Sequence, residues 1–217
     1  MTGTTTRRPL RRGKRLLLLA GAVTLLFASC ENVFTSSLFS FLQRDPSNLS
    51  PEQQVAYGED ALASGDPDKM AEAYEVLKDS DDPQTQLLAA DLALGAVELE
   101  GTLLEAASAE DPVAAIEAAL EDFTDEDFAM MREAAALIDS ADDSVEPTAE
   151  QYFFAAAGLI AAAADANGGD VDTLTDADPD VAQAHAFLDE AAAALQADGE
   201  STELLVDIAG PTGWTSP

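Results

Sequence analysis

The stretch SPEQQVAYGEDALASGDPDKMAEAYEVLKDSDDP, residues 50–83, decides the fold because it contains three helix starts separated by two short turns. Ser50-Pro51-Glu52-Gln53 places an N-cap serine before a proline at the first helical position, with glutamine three residues after the cap. Gly65 is a typical helix stop, and Asp66-Pro67 and Asp82-Pro83 begin the next two helices. The pattern predicts antiparallel helical hairpins joined by short turns.

Helix signals continue along the rest of the chain. Asp111-Pro112 and Asp178-Pro179 repeat the Asp-Pro start, and Thr124 precedes acidic residues, which stabilise the first turn of a helix. The predicted helices are 51–64, 67–79, 83 to the region of 101–107, a short one from 112, one from 125 to a polar stretch at 140–147, 148–166 and 179–197, with a loop over 167–178. Alanine dominates a hydrophobic content of 47%, aromatic residues make up only 6%, and no segment predicts a strand. We therefore predict an all-α fold.

Two predicted helix pairs share a spacing of small and aromatic residues. In the first pair, Gly58 lies within a helix, Gly65 opens the turn, Tyr74 follows 16 residues after Gly58, and Leu77 shares its face. The second pair carries the corresponding packing residues Phe154, Gly158, Ala184, Leu188 and Ala191. This pattern resembles the tetratricopeptide repeat, in which a small residue lets paired helices approach and an aromatic side chain fills the space between them.

The resemblance implies a short solenoid of hairpins that binds another protein or peptide in a groove. The sequence departs from the repeat at Met70, where alanine is usual, at Asp82, where proline is usual, and in the enlarged turn at 167–178. A plain Ala-rich helical bundle is the alternative. The tetratricopeptide lipoprotein of outer-membrane barrel assembly and the tetratricopeptide components associated with tripartite solute importers have a similar construction, and only their architecture carries over to this shorter chain.

The amino-terminal residues have the layout of an export signal. Six basic residues precede the apolar run Leu16–Ala28, whose 13 residues are fewer than the roughly 20 that span a bilayer as a helix. Leu26, Phe27, Ala28, Ser29 and Cys30 then resemble the lipobox of bacterial lipoproteins, although leucine is usual where Phe27 stands. The resemblance implies cleavage before Cys30 and attachment of a diacylglycerol to its sulfur. The alternatives are an ordinary exported cysteine and a twin-arginine leader at Arg7-Arg8.

These patterns divide the chain into four parts. They are a signal peptide (1–29), a lipidated tether (30–50), a helical domain (51–198) and a carboxy-terminal tail (199–217). Within the tether, Phe34, Leu38, Phe41 and Leu42 form one apolar stripe of a short helix. This amphipathic segment either lies on the bilayer or a partner, or caps the core of the domain.

The charge balance excludes several classes of function. The chain has 42 acidic and 10 basic residues, a formal net charge of −32, and removal of residues 1–29 would leave four basic residues and a net charge of −38. Nucleic-acid binding needs clustered Lys and Arg, and anionic headgroups repel such a body. A covalent lipid is therefore the predicted link to the membrane. The composition also resembles that of proteins from salt-loving bacteria. This predicts that the folded domain is more stable at high ionic strength.

The sequence offers little catalytic chemistry. His185 is the only histidine, and no nucleophile motif, phosphate loop or dinucleotide fingerprint accompanies it. Weak candidate cation ligands are Asp165, Asn167, Asp170, Asp172 and Asp176, which echo a calcium loop with aspartate at the positions that need Gly and Glu. A solvated acidic loop is the other interpretation. We expect neither an enzyme nor a cofactor.

The sequence thus predicts a non-catalytic, lipid-anchored scaffold or adaptor of the cell envelope, which binds a further envelope protein through its helical hairpins. The alternative is a periplasmic module that binds a small molecule or a cation, for example as an accessory of a transport system.

Overall fold

The computed structural model describes residues 45–109, 112–142, 144–202, 205–206 and 212–215. The chain divides into two compact units, residues 1–48 and 49–217. Of the first unit, only residues 45–48 are described, and they contain the 3₁₀ turn Pro46–Asn48.

Every regular element in the described part of this unit is helical, as the sequence predicts. The α-helices are α1 (Pro51–Ser64), α2 (Pro67–Leu77), α3 (Pro83–Ala96), α4 (Leu99–Ala107), α5 (Pro112–Leu120), α6 (Asp125–Asp142), α7 (Ala149–Ala166) and α8 (Pro179–Ala197). The all-α prediction is confirmed.

The predicted start and stop residues act as the sequence indicates. Gly65 ends α1 in the left-handed conformation, with φ of 63°. The Asp82 carboxylate accepts a hydrogen bond from the Thr85 N–H at 2.9 Å, and Asp178 accepts one from the Asp180 N–H at 2.9 Å. These caps satisfy backbone donors that the first turn of a helix leaves without a helical partner.

The prediction of one helix from residue 83 to the region of 101–107 is wrong. The helix ends at Ala96, and α4 begins at Leu99 after a turn in which Glu98 has φ of 53°. A non-glycine residue in this conformation is unfavourable by about 1–2 kcal/mol, so the surrounding structure must hold it. Helix propensity cannot reveal this break, because neither Val97 nor Glu98 is a stop signal.

Two further boundaries differ from the prediction. Helix α6 continues to Asp142, into the stretch predicted as polar loop. The predicted loop over 167–178 contains a 3₁₀ turn, Val171–Thr173, and it buries the side chains of Val171 and Leu174. This loop is therefore packed onto the helices through two apolar anchors.

The packing of the described helices fits either a helical bundle or a short solenoid of hairpins. Helix α1 packs on α2, α3 on α6, and α7 on α8, and these three pairs stack through contacts of α3 with α1 and α2 and of α7 with α6 and α3. Helices α4 and α5 pack on each other and form an insertion within the middle pair, from which α4 contacts α3 and α7. Neighbouring pairs bury a continuous core in such an arrangement.

The core is built mainly from small side chains. Helix α7 buries a run of alanines, from Ala155 to Ala157 and from Ala161 to Ala164, against α6 and α8. Arg132 ties these three helices together, since its Nε donates to Asp180 of α8 at 2.7 Å and its Nη2 donates to the Ala162 carbonyl of α7 at 2.9 Å. Close helix packing and one shared guanidinium fix the position of the last pair relative to α6.

Candidate functional site

The predicted repeat-packing residues lie at helix–helix contacts. A Cβ atom added to Gly58 of α1 would lie 2.7 Å from Leu77 Cδ1 of α2, and one added to Gly158 of α7 would lie 3.1 Å from Met131 Cβ of α6. Tyr74 of α2 is buried and donates its hydroxyl to Glu133 of α6. Ala184, Leu188 and Ala191 of α8 are all buried. Glycine thus occupies positions where a neighbouring helix leaves little room for a side chain.

Phe154 is half-buried and lies on the wall of a groove. The groove has a volume of about 580 Å³ and is formed by the first helices of the three pairs, α1, α3 and α7, together with the start of α2 and the α3–α4 turn. It is lined by Leu62, Gly65, Pro67, Met70, Asp91, Leu94, Gly95, Glu98, Glu100, Gly101, Thr148, Glu150, Gln151 and Phe154.

Two polar side chains meet in this groove. The amide nitrogen of Gln151, on α7, donates to both carboxylate oxygens of Asp91, on α3, at 3.1 and 3.0 Å. The amide oxygen of Gln151 accepts the Thr148 N–H at 3.0 Å, and Thr148 Oγ1 accepts the Gln151 N–H at 3.2 Å, a capping box at the start of α7. The cap therefore fixes the amide so that its NH₂ group points at Asp91.

Burial makes Asp91 an unusual carboxylate. Desolvation raises its pKa from the ordinary 3.8 to about 6, and the nearby Glu150 charge raises it further, while the hydrogen bond from Gln151 opposes both effects. The group is therefore partly protonated close to neutral pH. Strongly shifted pKa values in a cleft are a recognised sign of a functional residue.

The residues around this pair give the groove its shape. The glycine at position 95 allows Met70 to approach α3, because an added Cβ would lie 2.7 Å from Met70 Sδ. The left-handed Glu98 turns the chain from α3 into α4, so that Glu100 and Gly101 complete one rim. The break in the predicted long helix is thus part of the groove wall.

Asp91 and Gln151 are not among the predicted site residues, although the sequence contains signals for both. Asp91 is the only charged residue between Pro83 and Val97, in an otherwise apolar or uncharged helix. Thr148 and Gln151 have the spacing of a capping box. Neither signal shows that the two side chains meet, because they lie 60 residues apart and contact each other through the stacking of α3 and α7.

The weak calcium-ligand candidates are used for other contacts. The Asn167 amide donates to the Ala163 carbonyl at 2.8 Å and to Asp178 at 3.3 Å, and Asp176 contacts His185 Nδ1 at 2.6 Å. The Asp170 carbonyl accepts from Thr173. Asp165 lines a separate cavity of about 500 Å³ with Glu121, Gly168 and Gly169, and the side chain of Asp172 lies outside the described residues. In the described part of the chain, no three His, Cys, Asp or Glu side chains converge as metal ligands would.

His185 lies between a carboxylate and a hydroxyl. Its Nδ1 is 2.6 Å from Asp176 Oδ1, and its Nε2 is 2.7 Å from Thr212 Oγ1. The order of groups resembles that of a hydrolase triad, but Thr212 is only 4% exposed, so its hydroxyl cannot meet a substrate from solution. Trp214 is also buried and donates its Nε1–H to Asp189 at 3.0 Å. Thr212 and Trp214 of the carboxy-terminal tail thus both contact α8.

The predicted lipobox, Leu26 to Cys30, and the amphipathic stripe of the tether lie outside the described residues. Across the part of the chain that is described, none of the helices has the length and apolar character to span a bilayer.

Comparisons with protein-family models, with curated proteins and with solved structures give no match to this chain. The groove of α1, α3 and α7 is therefore the candidate functional site on its geometry alone.

Proposed function

We propose that this protein is a non-catalytic scaffold of a bacterial cell envelope, held at the membrane by a lipid on Cys30, and that its groove binds a segment of a partner protein. The observation that supports docking most directly is the groove itself, because the first helix of each pair contributes to one concavity. Stacked helical hairpins provide extended concave binding surfaces in many solenoid proteins.

The chemistry of the groove fits binding better than catalysis. Among its apolar side chains, the half-buried Leu62 and Phe154 offer surface that a partner can remove from water, while Met70 and Leu94 are already buried. The polar pair Asp91–Gln151 can fix the orientation of a bound segment, as a few polar groups commonly do in apolar binding sites.

Anchoring by a lipid rests on the sequence around Cys30. A diacylglycerol supplies two acyl chains, and two chains give stable membrane attachment where one gives only marginal binding. The acidic helical domain would not adsorb to anionic lipids by itself. The lipid anchor would therefore keep the groove close to the membrane surface.

Intact-mass analysis of detergent-extracted protein tests the anchor. We expect a chain that begins at Cys30 and carries added diacylglycerol, and we expect Cys30→Ala to release the protein from the membrane fraction. An unmodified thiol, or a chain that retains residues 1–29, would refute the anchored scaffold.

Site-specific photocrosslinking tests the groove. A photoreactive residue at exposed Glu100, on the groove rim, should capture a protein that the same residue at exposed Glu190, on α8, does not capture. The captured protein, once identified and purified, should bind the domain, and Phe154→Ala should weaken that binding by about tenfold. Equal capture from both positions, or binding unaffected by Phe154→Ala, would count against docking in this groove.

The alternative function is a small-molecule-binding module. The groove volume of about 580 Å³ favours this candidate, since ligand pockets commonly measure about 300–1,000 Å³. Native mass spectrometry that shows a retained small molecule, displaced from a Phe154→Trp variant, would favour it over the scaffold.

A further inference from the structure

The groove is anionic as well as partly apolar. Asp91, Glu98, Glu100 and Glu150 line it, and none of the described lining residues is a lysine or arginine. Four carboxylates around one concavity repel each other unless a cation is present. A ligand with a positive group and an apolar stem would complement both features.

The chain's own described cations are engaged elsewhere. Arg132 pairs with Asp180 at 2.7 Å, Lys78 pairs with Glu75 at 2.8 Å, and Lys69 lies 3.7 Å from Asp66. These are the only Lys and Arg residues after Arg44 in the sequence. The described helical domain therefore has no basic side chain in the groove, and a partner can supply one.

Asp91 is prepared to receive such a group. Gln151 holds its carboxylate in one orientation, and an ionised carboxylate has acceptor capacity beyond the two hydrogen bonds from that amide. Because the carboxylate is already largely desolvated and oriented, a cation that meets it there forms a stronger charge-assisted hydrogen bond than it would at an exposed site.

From this geometry we infer that the groove selects an extended polypeptide segment by one lysine or arginine side chain, which Asp91 binds while Leu62 and Phe154 contact its aliphatic stem. This inference rests on the proposed docking function, and it names the chemistry of the partner segment. Lys and Arg side chains combine a charged head with an apolar stem, which is what this groove can accommodate.

Binding of this kind depends on pH. The charged residues that line the groove with Asp91 are Glu150 on α7, Glu98 in the α3–α4 turn and Glu100 on α4, while the lining residues from α1 and α2 are uncharged. Only the ionised form of Asp91 attracts a cation, and its pKa is about 6. Affinity should therefore fall by about tenfold between about pH 7.5 and about pH 5, as the carboxylate becomes protonated.

Pull-down with defined peptides tests the inference. The probes are blocked peptides with one central lysine flanked by mixtures of alanine, leucine, serine and phenylalanine, and matched peptides with acetyl-lysine in the centre. Retention on the immobilised domain at about 1 M salt removes most long-range attraction to the acidic surface. We expect about tenfold stronger retention of the lysine peptides, the scale of one charge-assisted hydrogen bond.

Two charge-matched variants locate the effect. Asp91→Asn should abolish the preference for lysine over acetyl-lysine, whereas Glu190→Gln, which removes one charge from the exposed surface of α8, should keep it. Glu150→Gln should reduce the preference by about threefold, and it keeps the test valid if Asp91→Asn fails to fold, which circular dichroism would show.

The outcomes separate this inference from the proposed function. Equal retention of lysine and acetyl-lysine peptides would overturn the selection of a cation and leave docking in the groove intact. Loss of the preference in Glu190→Gln as well would show a diffuse charge effect and overturn the role of Asp91. Competition by free lysinamide at the same concentration as the peptide would overturn a polypeptide ligand, and retention of neither peptide would count against docking itself.

Discussion

Asp91 lowers the stability of the folded protein when it is ionised, although the proposed ligand contact needs the ionised form. Its pKa is 3.8 in an unfolded chain and about 6 in the folded protein, so the folded state binds the proton more tightly. Stability from this linkage is fully present below pH 3.8 and is lost as the pH rises through about 6. At neutral pH, the ionised side chain therefore destabilises the fold.

Asp91→Asn should for this reason stabilise the protein at about pH 7.5, on the order of 1–3 kcal/mol, and should have little effect near pH 3.5. Urea denaturation at the two pH values measures the difference. Glu190→Gln is the control, because it removes an equal charge from an exposed position. A stability gain of the same size at both pH values would contradict the assignment of the buried, ionised carboxylate.

Contacts between individual side chains are the feature that the sequence predicts least well. Gly58 and Tyr74 could be identified because their spacing is local and belongs to a repeat. The pairing of Asp91 with Gln151 could not, since it depends on how two helices stack. The same holds for His185, which is an ordinary helical residue in the sequence and contacts both the 167–178 loop and the tail in the structure.

Among the helices, replacing Gly58 and replacing Gly101 by alanine should have opposite effects on stability. Gly58 lies where α1 meets its neighbours, with Leu77 Cδ1 2.7 Å and Leu88 Cδ2 3.2 Å from an added Cβ, whereas Gly101 in α4 has nothing within 4 Å. Gly58→Ala should destabilise the protein by about 1–2 kcal/mol through overpacking. Gly101→Ala should stabilise it by up to about 1 kcal/mol through helix propensity.

Paired denaturant titrations of the two variants measure these effects under the same conditions. Both changes add one methyl group to a helix, so the difference between them isolates the helix–helix contact. If Gly58→Ala were as stabilising as Gly101→Ala, α1 and its neighbours would be more loosely packed than the structure indicates.

The contact of Trp214 with α8 should contribute to the stability of the protein. Trp214 is 5% exposed and donates to Asp189, so its side chain contributes both apolar burial and a hydrogen bond to the contact with α8. Trp214→Ala should destabilise the protein by about 3 kcal/mol and expose the tail to proteases. Limited proteolysis with mass analysis measures the second effect, and an unchanged cleavage pattern would contradict docking of the tail.

Element boundaries show the limits of local signals. The Asp-Pro starts and Gly65 placed most helix ends correctly, since caps and stops act through neighbouring backbone groups. The break at Val97 and Glu98 was missed, because neither residue is a helix stop signal and the burial of Val97 and Leu99 beside Glu98 appears only in the folded protein. The break forms part of the groove wall. The candidate site therefore depends on a turn that helix propensity does not predict.

At the scale of the whole molecule, the dominant property is charge. The chain has a formal net charge of −32 with 42 acidic residues, and its three described basic side chains already have carboxylate neighbours. Self-repulsion of this size opposes the compact state, and it weakens when salt shortens the Debye length from about 10 Å at 0.1 M to about 3 Å at 1 M. Stability should therefore increase with ionic strength.

A thermal melt of the domain should show a midpoint several degrees higher in about 1 M than in about 0.05 M sodium chloride. Screening predicts that most of the rise occurs at low salt and that potassium chloride acts equally well, because screening depends on ionic strength and not on ion identity. Strengthened apolar burial, in contrast, would continue to rise with salt and would be larger with sulfate at equal ionic strength. A midpoint that stays constant would show that the acidic surface is spread widely enough to be harmless, and the salt-adapted interpretation of the composition would then be wrong.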